Sequence, residues 1–146
     1  MKYGMLLSMT VLSGLSACGG RAGDPVVPDP PYVVRQDSPE IIRKEAGPHE
    51  GTGETTAYRY FDDVQGAKLI FRKRALHKGA SIGLHALSHD EVYYVISGRG
   101  EYFTDKSIYP VGAGSAVFMR EGVPVGIRQV GEEDLVLIVA YPPAEH

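Results

Sequence analysis

The sequence has no tryptophan and only one cysteine among its 146 residues, so the chain cannot form an internal disulfide. Its mostly apolar run at residues 5–15 is too short to span a bilayer. The formal net charge is −3, and no basic stripe carries interleaved aromatic residues. Nucleic acid is therefore not an expected partner. Phosphate-binding loops, G-x-S-x-G motifs and C-x-x-C motifs are also missing, together with the chemistry that they support.

Glycine, proline and tyrosine are abundant, with 18, 10 and 9 residues, which favours turns and strands over long helices. From residue 57 onward, short apolar or alternating segments recur between glycine, aspartate and proline. We predict nine strands, at residues 57–61, 67–76, 81–87, 91–97, 100–104, 106–111, 115–120, 125–130 and 134–142. Many short strands at regular spacing predict an all-β protein with an antiparallel sandwich or barrel. No strand–helix alternation is visible, so a parallel sheet is not expected.

The N-terminus has the pattern of a secretory signal, with Lys2, an apolar run and then small residues before Cys18. Its "LSAC" segment resembles the lipobox of bacterial lipoproteins. That resemblance implies a signal peptide over residues 1–17, with Cys18 lipidated with palmitate-type chains as a membrane anchor. Gly19 implies the outer membrane of the cell envelope, facing the periplasm. The alternative is a plain signal peptide in which Cys18 has no role.

Residues 18–54 are predicted to form a tether that separates the anchor from the folded domain. The segment "GGRAGDPVVPDPPYVV" is rich in glycine and proline and shows no periodicity, which is typical of extended, solvated chain. A short helix is predicted within residues 38–47, with Ser38 as its N-cap and Pro39 at its first position. The folded domain is then expected to span residues 55–146.

The polar and glycine positions of this domain resemble the first sequence motif of the cupin superfamily. That motif places glycine, two histidines, glutamate and a closing glycine at fixed intervals. Here Gly79, His85, Glu91 and Gly98 occupy four of those positions, and Leu87 stands where the second histidine is usual. The resemblance implies a cupin-type antiparallel β-barrel, also called a double-stranded β-helix or jelly roll.

The second cupin motif is matched less fully. Gly114 opens it and Gly122 fits, whereas Arg120 stands in the usual proline position and Gln129 in the usual asparagine position. Val125 replaces the motif's histidine. In metal-binding cupins three histidines and one glutamate converge inside the barrel, and this resemblance therefore implies a site that has lost two of its four ligands.

Three functions remain open. The first is a small-molecule-binding protein with a degenerate metal site, in which the aliphatic Leu87 and Val125 favour an uncharged or partly apolar ligand. The second is a metal-dependent enzyme, a dioxygenase or isomerase, that holds iron, manganese, nickel or zinc with His85, His89 and Glu91. A non-catalytic assembly protein is a third reading, because cupins commonly pair through their sheets, and a homodimer is an open possibility.

The roles of the individual polar residues depend on the chain path between residues 87 and 90. On one continuous strand His85 and His89 would lie about 13 Å apart, too far to share an ion, whereas a bend would bring them together. Alternatively His89 lies in an exposed loop, and His85 pairs with Glu91 without metal. Glu91 is the candidate catalytic base. Tyr93 shares its strand face and is either a ligand contact or core.

The segment "FRKR" places Arg72 and Arg74 on one strand face and Lys73 on the other. These cations either bind an acidic sugar or phosphate, or protect a solvated edge strand by charge, which is the reading we prefer. His49 and His77 are isolated in the sequence. His49 could fold over the barrel as a third ligand, but we assign no role to either histidine.

Overall fold

The computed structural model describes residues 32–144, and this part of the chain consists of strands, turns and loops. The predicted leader (residues 1–17) and Cys18 lie outside the described residues. Within residues 32–144 there is no helix long and apolar enough to cross a membrane. The strands are β1 (Ile42–Ala46), β2 (Glu54–Arg59), β3 (Ile70–Leu76), β4 (Ser81–Ala86), β5 (Glu91–Ser97), β6 (Arg99–Thr104), β7 (Ile108–Gly112), β8 (Ala116–Met119), β9 (Pro124–Val130) and β10 (Leu135–Tyr141).

The strands form two antiparallel sheets that give the predicted jelly-roll barrel. One sheet has six strands in the order β1-β2-β3-β10-β5-β8, and the other has four in the order β4-β9-β6-β7. Every strand pair is antiparallel. The all-β prediction is therefore confirmed, and each of the nine predicted strands overlaps an observed one.

Strand β5 shows why these segments form strands. Its residues alternate strictly, so that Tyr93 and Val95 are buried while Tyr94 and Ile96 are exposed. Such a period of two places one face against the core and leaves the other toward solvent. The inward faces of both sheets share one apolar core: Leu76, Ala80, Ile82, Leu87, Tyr93, Val95, Tyr102, Met119, Val125, Ile127, Leu135, Leu137 and Val139.

The helix predicted within residues 38–47 is wrong. Residues 39–41 form a turn, and β1 follows, pairing with β2 along its whole length. A helix of this length is marginal by itself, because few hydrogen bonds offset the cost of nucleation. Pairing with β2 satisfies the backbone instead, and it lets Glu45 reach Arg59 and Arg74. The six-stranded sheet thus includes residues that the sequence assigned to the tether.

Strand β3 is not the edge strand that the sequence analysis preferred. It lies between β2 and β10 and pairs with both over at least five residues. Lys73 faces outward and forms an ion pair with Asp37. Arg72 and Arg74 face the space between the two sheets, so their charge cannot serve as edge protection.

Candidate functional site

A cavity of about 330 Å³ opens between the two sheets. Strand β4 of the smaller sheet forms one wall, and β3, β5 and β10 of the larger sheet form the other. The loop between β1 and β2 closes one side. Its lining residues are Glu45, Pro48, His49, Arg72, Arg74, Ile82, His85, Ala86, Leu87, Ser88, His89, Glu91, Tyr93, Val139 and Tyr141.

His85 projects into this cavity from β4. Its Nδ1–H donates a hydrogen bond of 2.9 Å to the carbonyl oxygen of Gly83. Because that carbonyl can only accept, the neutral ring carries its proton on Nδ1 and leaves a lone pair on Nε2. The imidazole of His49 stacks on the His85 ring, with centroids 3.5 Å apart and planes 5° from parallel.

His49 reaches this position because the β1–β2 loop is fastened to β4. The amide of Gly83 donates to the carbonyl of Pro48 at 2.9 Å, and the amide of Ser81 donates to the carbonyl of Thr52 at 2.9 Å. A side chain on Gly83 would overlap the carbonyl oxygen of His49. His49 itself has a φ of 55°, a strained conformation for a residue with a Cβ. The sequence assigned no role to His49, and the structure makes it a cavity wall.

Two features hold the His49 ring uncharged. Its partial burial lowers the pKa of the imidazole, and the neighbouring His85 and then Arg74 lower it further. A neutral His49 can stack on His85 without electrostatic repulsion.

His89 and Glu91 lie close together in the wall of the cavity that faces β4. The chain bends between β4 and β5, which begins at Glu91, but this bend brings His89 to Glu91 and not into a three-residue set with His85. His89 Nε2 lies 3.6 Å from Glu91 Oε2, and the His89 ring stacks on Tyr141 with centroids 4.5 Å apart. The alternative pairing of Glu91 with His85 is wrong, because among the described residues Glu91 has its one ion-pair contact with His89.

Glu91 is buried, with only 6% of its surface exposed. Burial raises the pKa of its carboxyl to about 7, and the nearby Arg72 opposes this rise only in part. Tyr93 follows on the same inward face and is 2% exposed, and burial raises the pKa of its phenol well above 10. Glu91 can therefore exchange a proton near neutral pH, whereas Tyr93 stays a neutral hydroxyl.

Two arginines give the cavity a cationic wall that the sequence analysis did not assign to it. Arg74 is 8% exposed and donates to Glu45 at 3.1 Å and to Thr55 at 2.7 Å. Arg72 holds both carboxylate oxygens of Asp62, at 3.1 and 2.7 Å. The shared face of Arg72 and Arg74 was visible in the sequence, but the position of β3 inside the sheet was not.

The donors in this cavity do not fit a resident metal ion. Among residues 32–144 no three histidine, cysteine, aspartate or glutamate side chains come close enough to hold one. His85 and His89 belong to separate ring stacks, and the two remaining cupin ligand positions are the buried, aliphatic Leu87 and Val125. Val125 pairs with His85 across the β4–β9 ladder, so it packs where the resemblance would put a histidine.

His77 does not line the cavity. It lies just after β3, where its Nε2 contacts Thr56 Oγ1 at 2.8 Å and its Nδ1 contacts Asp134 Oδ2 at 2.9 Å. Asp134 accepts from Nδ1–H, so the Thr56 hydroxyl donates to Nε2. This arrangement ties β2 to the loop before β10.

Comparisons with known proteins support the fold of this chain and leave its function open. A family model described as a cupin domain matches residues 73–141. The chain is 33% identical over 89 residues to an uncharacterized protein of Streptomyces coelicolor, covering 53% of this chain and 82% of that protein. It is 31% identical over 67 residues to an oxalate-binding protein of Thermotoga maritima, covering 45% of this chain and 55% of that protein.

Solved structures agree with these matches. The crystal structure of a predicted oxalate decarboxylase from Thermotoga maritima superposes with a TM-score of 0.66 at 26% identity, covering 77% of this chain and all of that one. An RmlC-like cupin from Shewanella frigidimarina superposes with a TM-score of 0.58 at 23% identity, covering 78% and 95%. At this low identity, the likeness to the Shewanella frigidimarina cupin shows the fold alone. From the matched domain, the two-sheet jelly roll and these relatives, the chain belongs to the cupin superfamily.

Proposed function

We propose that this protein is a lipid-anchored protein of the bacterial cell envelope that binds a small molecule in the cavity between its sheets, without a resident metal. One observation carries the proposal. Polar groups of the barrel converge on the cavity between the sheets, yet within residues 32–144 they are not arranged as a metal-ligand set.

The form of the cavity supports binding. Its volume of about 330 Å³ falls at the lower end of the range typical for small-molecule sites. Apolar side chains such as Ile82 and Val139 share the lining with the charged Arg72, Arg74 and Glu91. Such a mixture lets an apolar body be buried while a few polar contacts fix its orientation.

The relatives suggest where a ligand search should begin. One of them is an oxalate-binding protein, and a similar solved structure is a predicted oxalate decarboxylase. A small carboxylate would suit the arginine wall of the cavity. Leu87 and Val125 favour an uncharged or partly apolar ligand, and the two arginines in the lining lead us to expect that this ligand carries an anionic group.

Ligand binding is tested on the full-length protein purified in detergent without chelator. Its melting temperature is measured against a panel of small carboxylates, including oxalate, and their neutral amides, for the wild type and for two variants. Glu91→Gln changes the cavity, and Glu121→Gln removes an exposed carboxylate elsewhere. We expect at least one carboxylate to raise the melting temperature of the wild type and of Glu121→Gln, with a changed response in Glu91→Gln. No response to any compound would refute the proposal.

A metal-dependent enzyme is the second candidate. It is favoured by the 3.6 Å approach of His89 to Glu91 and by the free Nε2 lone pair of His85. Elemental analysis of the same preparation separates the two. Stoichiometric iron, manganese, nickel or zinc that is lost from both His85→Ala and His89→Ala would replace the first proposal by this one.

The envelope role rests on the sequence around Cys18, which lies outside the described residues. Metabolic labelling with a palmitate analogue should tag the wild-type protein, and Cys18→Ser should carry no label. Fractionation of the labelled cells then checks the expected outer-membrane location. An unlabelled wild type, or equal labelling of the variant, would show that the protein is not lipidated at Cys18.

A further inference from the structure

We propose that the ligand is a monocarboxylate carried on a planar ring, with the carboxylate held at Arg72 and the ring packed against the aromatic side chains of the cavity. This inference rests on the proposed function and deepens it. It differs from a simple extension of the relatives, because it predicts a larger ligand than oxalate and one negative charge instead of two.

The cavity wall carries a connected set of charged side chains. Five charged side chains form an unbroken, alternating chain: Arg74 pairs with Glu45, Glu45 with Arg59, Arg59 with Asp62, and Asp62 with Arg72. Three guanidinium groups face two carboxylates, so one positive charge is left over. Both ends of the chain are arginines, and both of them line the cavity. One anionic group in the cavity would complete the alternation.

Arg72 has a hydrogen-bond donor left for this anion. Arg72 uses Nε and Nη2 on Asp62, and within residues 32–144 its Nη1 has no hydrogen-bond acceptor. Arg74 is occupied by Glu45 and Thr55 and is more deeply buried. A guanidinium that is already fixed by one carboxylate loses little entropy on binding a second one. Arg72 is therefore the expected contact and Arg74 a supporting charge.

Glu91 offsets this positive charge only in part, because burial raises the pKa of its carboxyl to about 7 against the opposing effect of Arg72. It is the other carboxyl group of the cavity, but its ion-pair contact among the described residues is with His89 and not with Arg72 or Arg74. The ligand would enter beside Glu91, so a second negative charge on the ligand would be repelled by it. This favours a monoanion over a dianion such as oxalate.

The size of the cavity favours a ligand larger than oxalate. A cavity of about 330 Å³ lies within the range typical for small-molecule sites and can hold a molecule larger than oxalate. Oxalate occupies the space of only a few waters and would leave most of the apolar lining unfilled. A carboxylate attached to a ring fills the cavity and removes more apolar surface from water, which stabilises the complex.

The shape of the remaining lining favours a flat ligand. Five aromatic side chains line the cavity, and four of them are ordered as two nearly parallel stacks, His49 on His85 and His89 on Tyr141, with planes 5° and 12° apart. A flat ring can extend either stack without rotating its members, whereas a puckered ring cannot lie flush against them. The stacks therefore select for a planar ring.

The test is isothermal titration of the full-length protein in detergent with three probes, benzoate, benzamide and oxalate. Benzamide matches benzoate in shape but has no charge, and oxalate has the charge but no ring. We expect benzoate to bind at least tenfold more tightly than either. Arg72→Gln should weaken benzoate at least tenfold, while Lys73→Gln, which removes a charge from the outer face of the same strand, should stay within twofold of the wild type.

Each possible result of this titration either supports or overturns a part of the proposal. Equal binding of benzamide, or unchanged benzoate binding by Arg72→Gln, would overturn the carboxylate contact. Tighter binding of oxalate, or binding only by other compounds of the melting-temperature panel, would overturn the ring while leaving the proposed function intact. If no compound binds, both fall. Should Arg72→Gln not fold, Arg72→Lys keeps the charge, and the ratio of benzoate to benzamide affinity in the wild type remains decisive.

Discussion

Replacement of Glu91 by glutamine tests whether this carboxyl is as strongly buried as the cavity geometry indicates. Glutamine keeps the size and the polarity of the side chain but cannot ionise. The wild type must place a carboxylate in a site where only 6% of the residue's surface is exposed, once the pH exceeds the pKa of about 7. The variant never carries that charge, so the two proteins should differ in how their stability depends on pH.

The size and the sign of this difference follow from the raised pKa. The ordinary value is 4.5 and the folded value is about 7, and each pKa unit corresponds to about 1.4 kcal/mol, which gives about 3 kcal/mol in all. Below pH 4.5 the carboxyl of Glu91 is protonated in both states and costs nothing. Between pH 4.5 and 7 the unfolded chain releases its proton first, so stability falls. Above pH 7 both states are ionised and the loss is complete.

The assay is urea denaturation of the wild type and of Glu91→Gln at intervals from pH 4.5 to 8, in a buffer without carboxylates. Other carboxyl groups titrate in this range, but they contribute equally to both proteins and cancel in the difference. We expect the free energy of unfolding of the wild type to fall by about 3 kcal/mol relative to the variant. Glu121→Gln, which alters an exposed carboxyl, should follow the wild type. Parallel curves for the wild type and Glu91→Gln would refute the burial argument.

Two further substitutions test the packing that shapes the cavity. Gly83→Ala places a methyl group against the carbonyl oxygen of His49, so it should cost about 1–3 kcal/mol of unfolding free energy, whereas Gly112→Ala, with nearest neighbour at 3.8 Å, should be much milder. Equal effects would show that the loop between β1 and β2 is not fastened to β4. Leu137→Ala removes a fully buried side chain and should cost about 2–5 kcal/mol. Leu69 is 53% exposed, and Leu69→Ala should stay within about 0.5 kcal/mol of the wild type; similar losses for both leucines would contradict the assigned core.

Most of the fold could be predicted because its signals are local. The alternation in β5 depends only on neighbouring residues, and so do the glycine turns that separate the strands. Gly98 shows how specific such a signal is. It has a φ of 80°, and a side chain there would overlap the carbonyl of Asp134, so the position tolerates only glycine. The motif glycine found in the sequence is thus explained by the structure.

Strand β1 could not be predicted because its stabilisation is not local. Ser38 and Pro39 are good residues for starting a helix, and the following residues have no alternation that would indicate a strand. What decides the structure is pairing with β2 and the reach of Glu45 to Arg59 and Arg74, which are 14 and 29 residues away in sequence. Long-range contacts of this kind leave no periodic pattern.

The candidate site divides in the same way. His85, Glu91 and Tyr93 were found because their spacing follows one motif and one strand face, and all three line the cavity. His49 was left without a role because only a fastened loop brings it to β4. Arg72 was assigned to a solvated edge because nothing local shows that two other strands flank β3.

The cavity combines two aliphatic residues in cupin ligand positions with a wall that contains two arginines. A metal ion would have placed its positive charge among the ligands of β4, β5 and β9, but Leu87 and Val125 make that region apolar. The positive charge comes instead from Arg72 and Arg74 on β3, where Asp62 pairs with Arg72 and Glu45 from β1 pairs with Arg74. Glu45 lies before the matched cupin domain at residues 73–141. The chemistry of this cavity therefore depends on a strand outside the part of the chain that shows the family, and relatives that lack an equivalent of β1 are expected to bind different ligands.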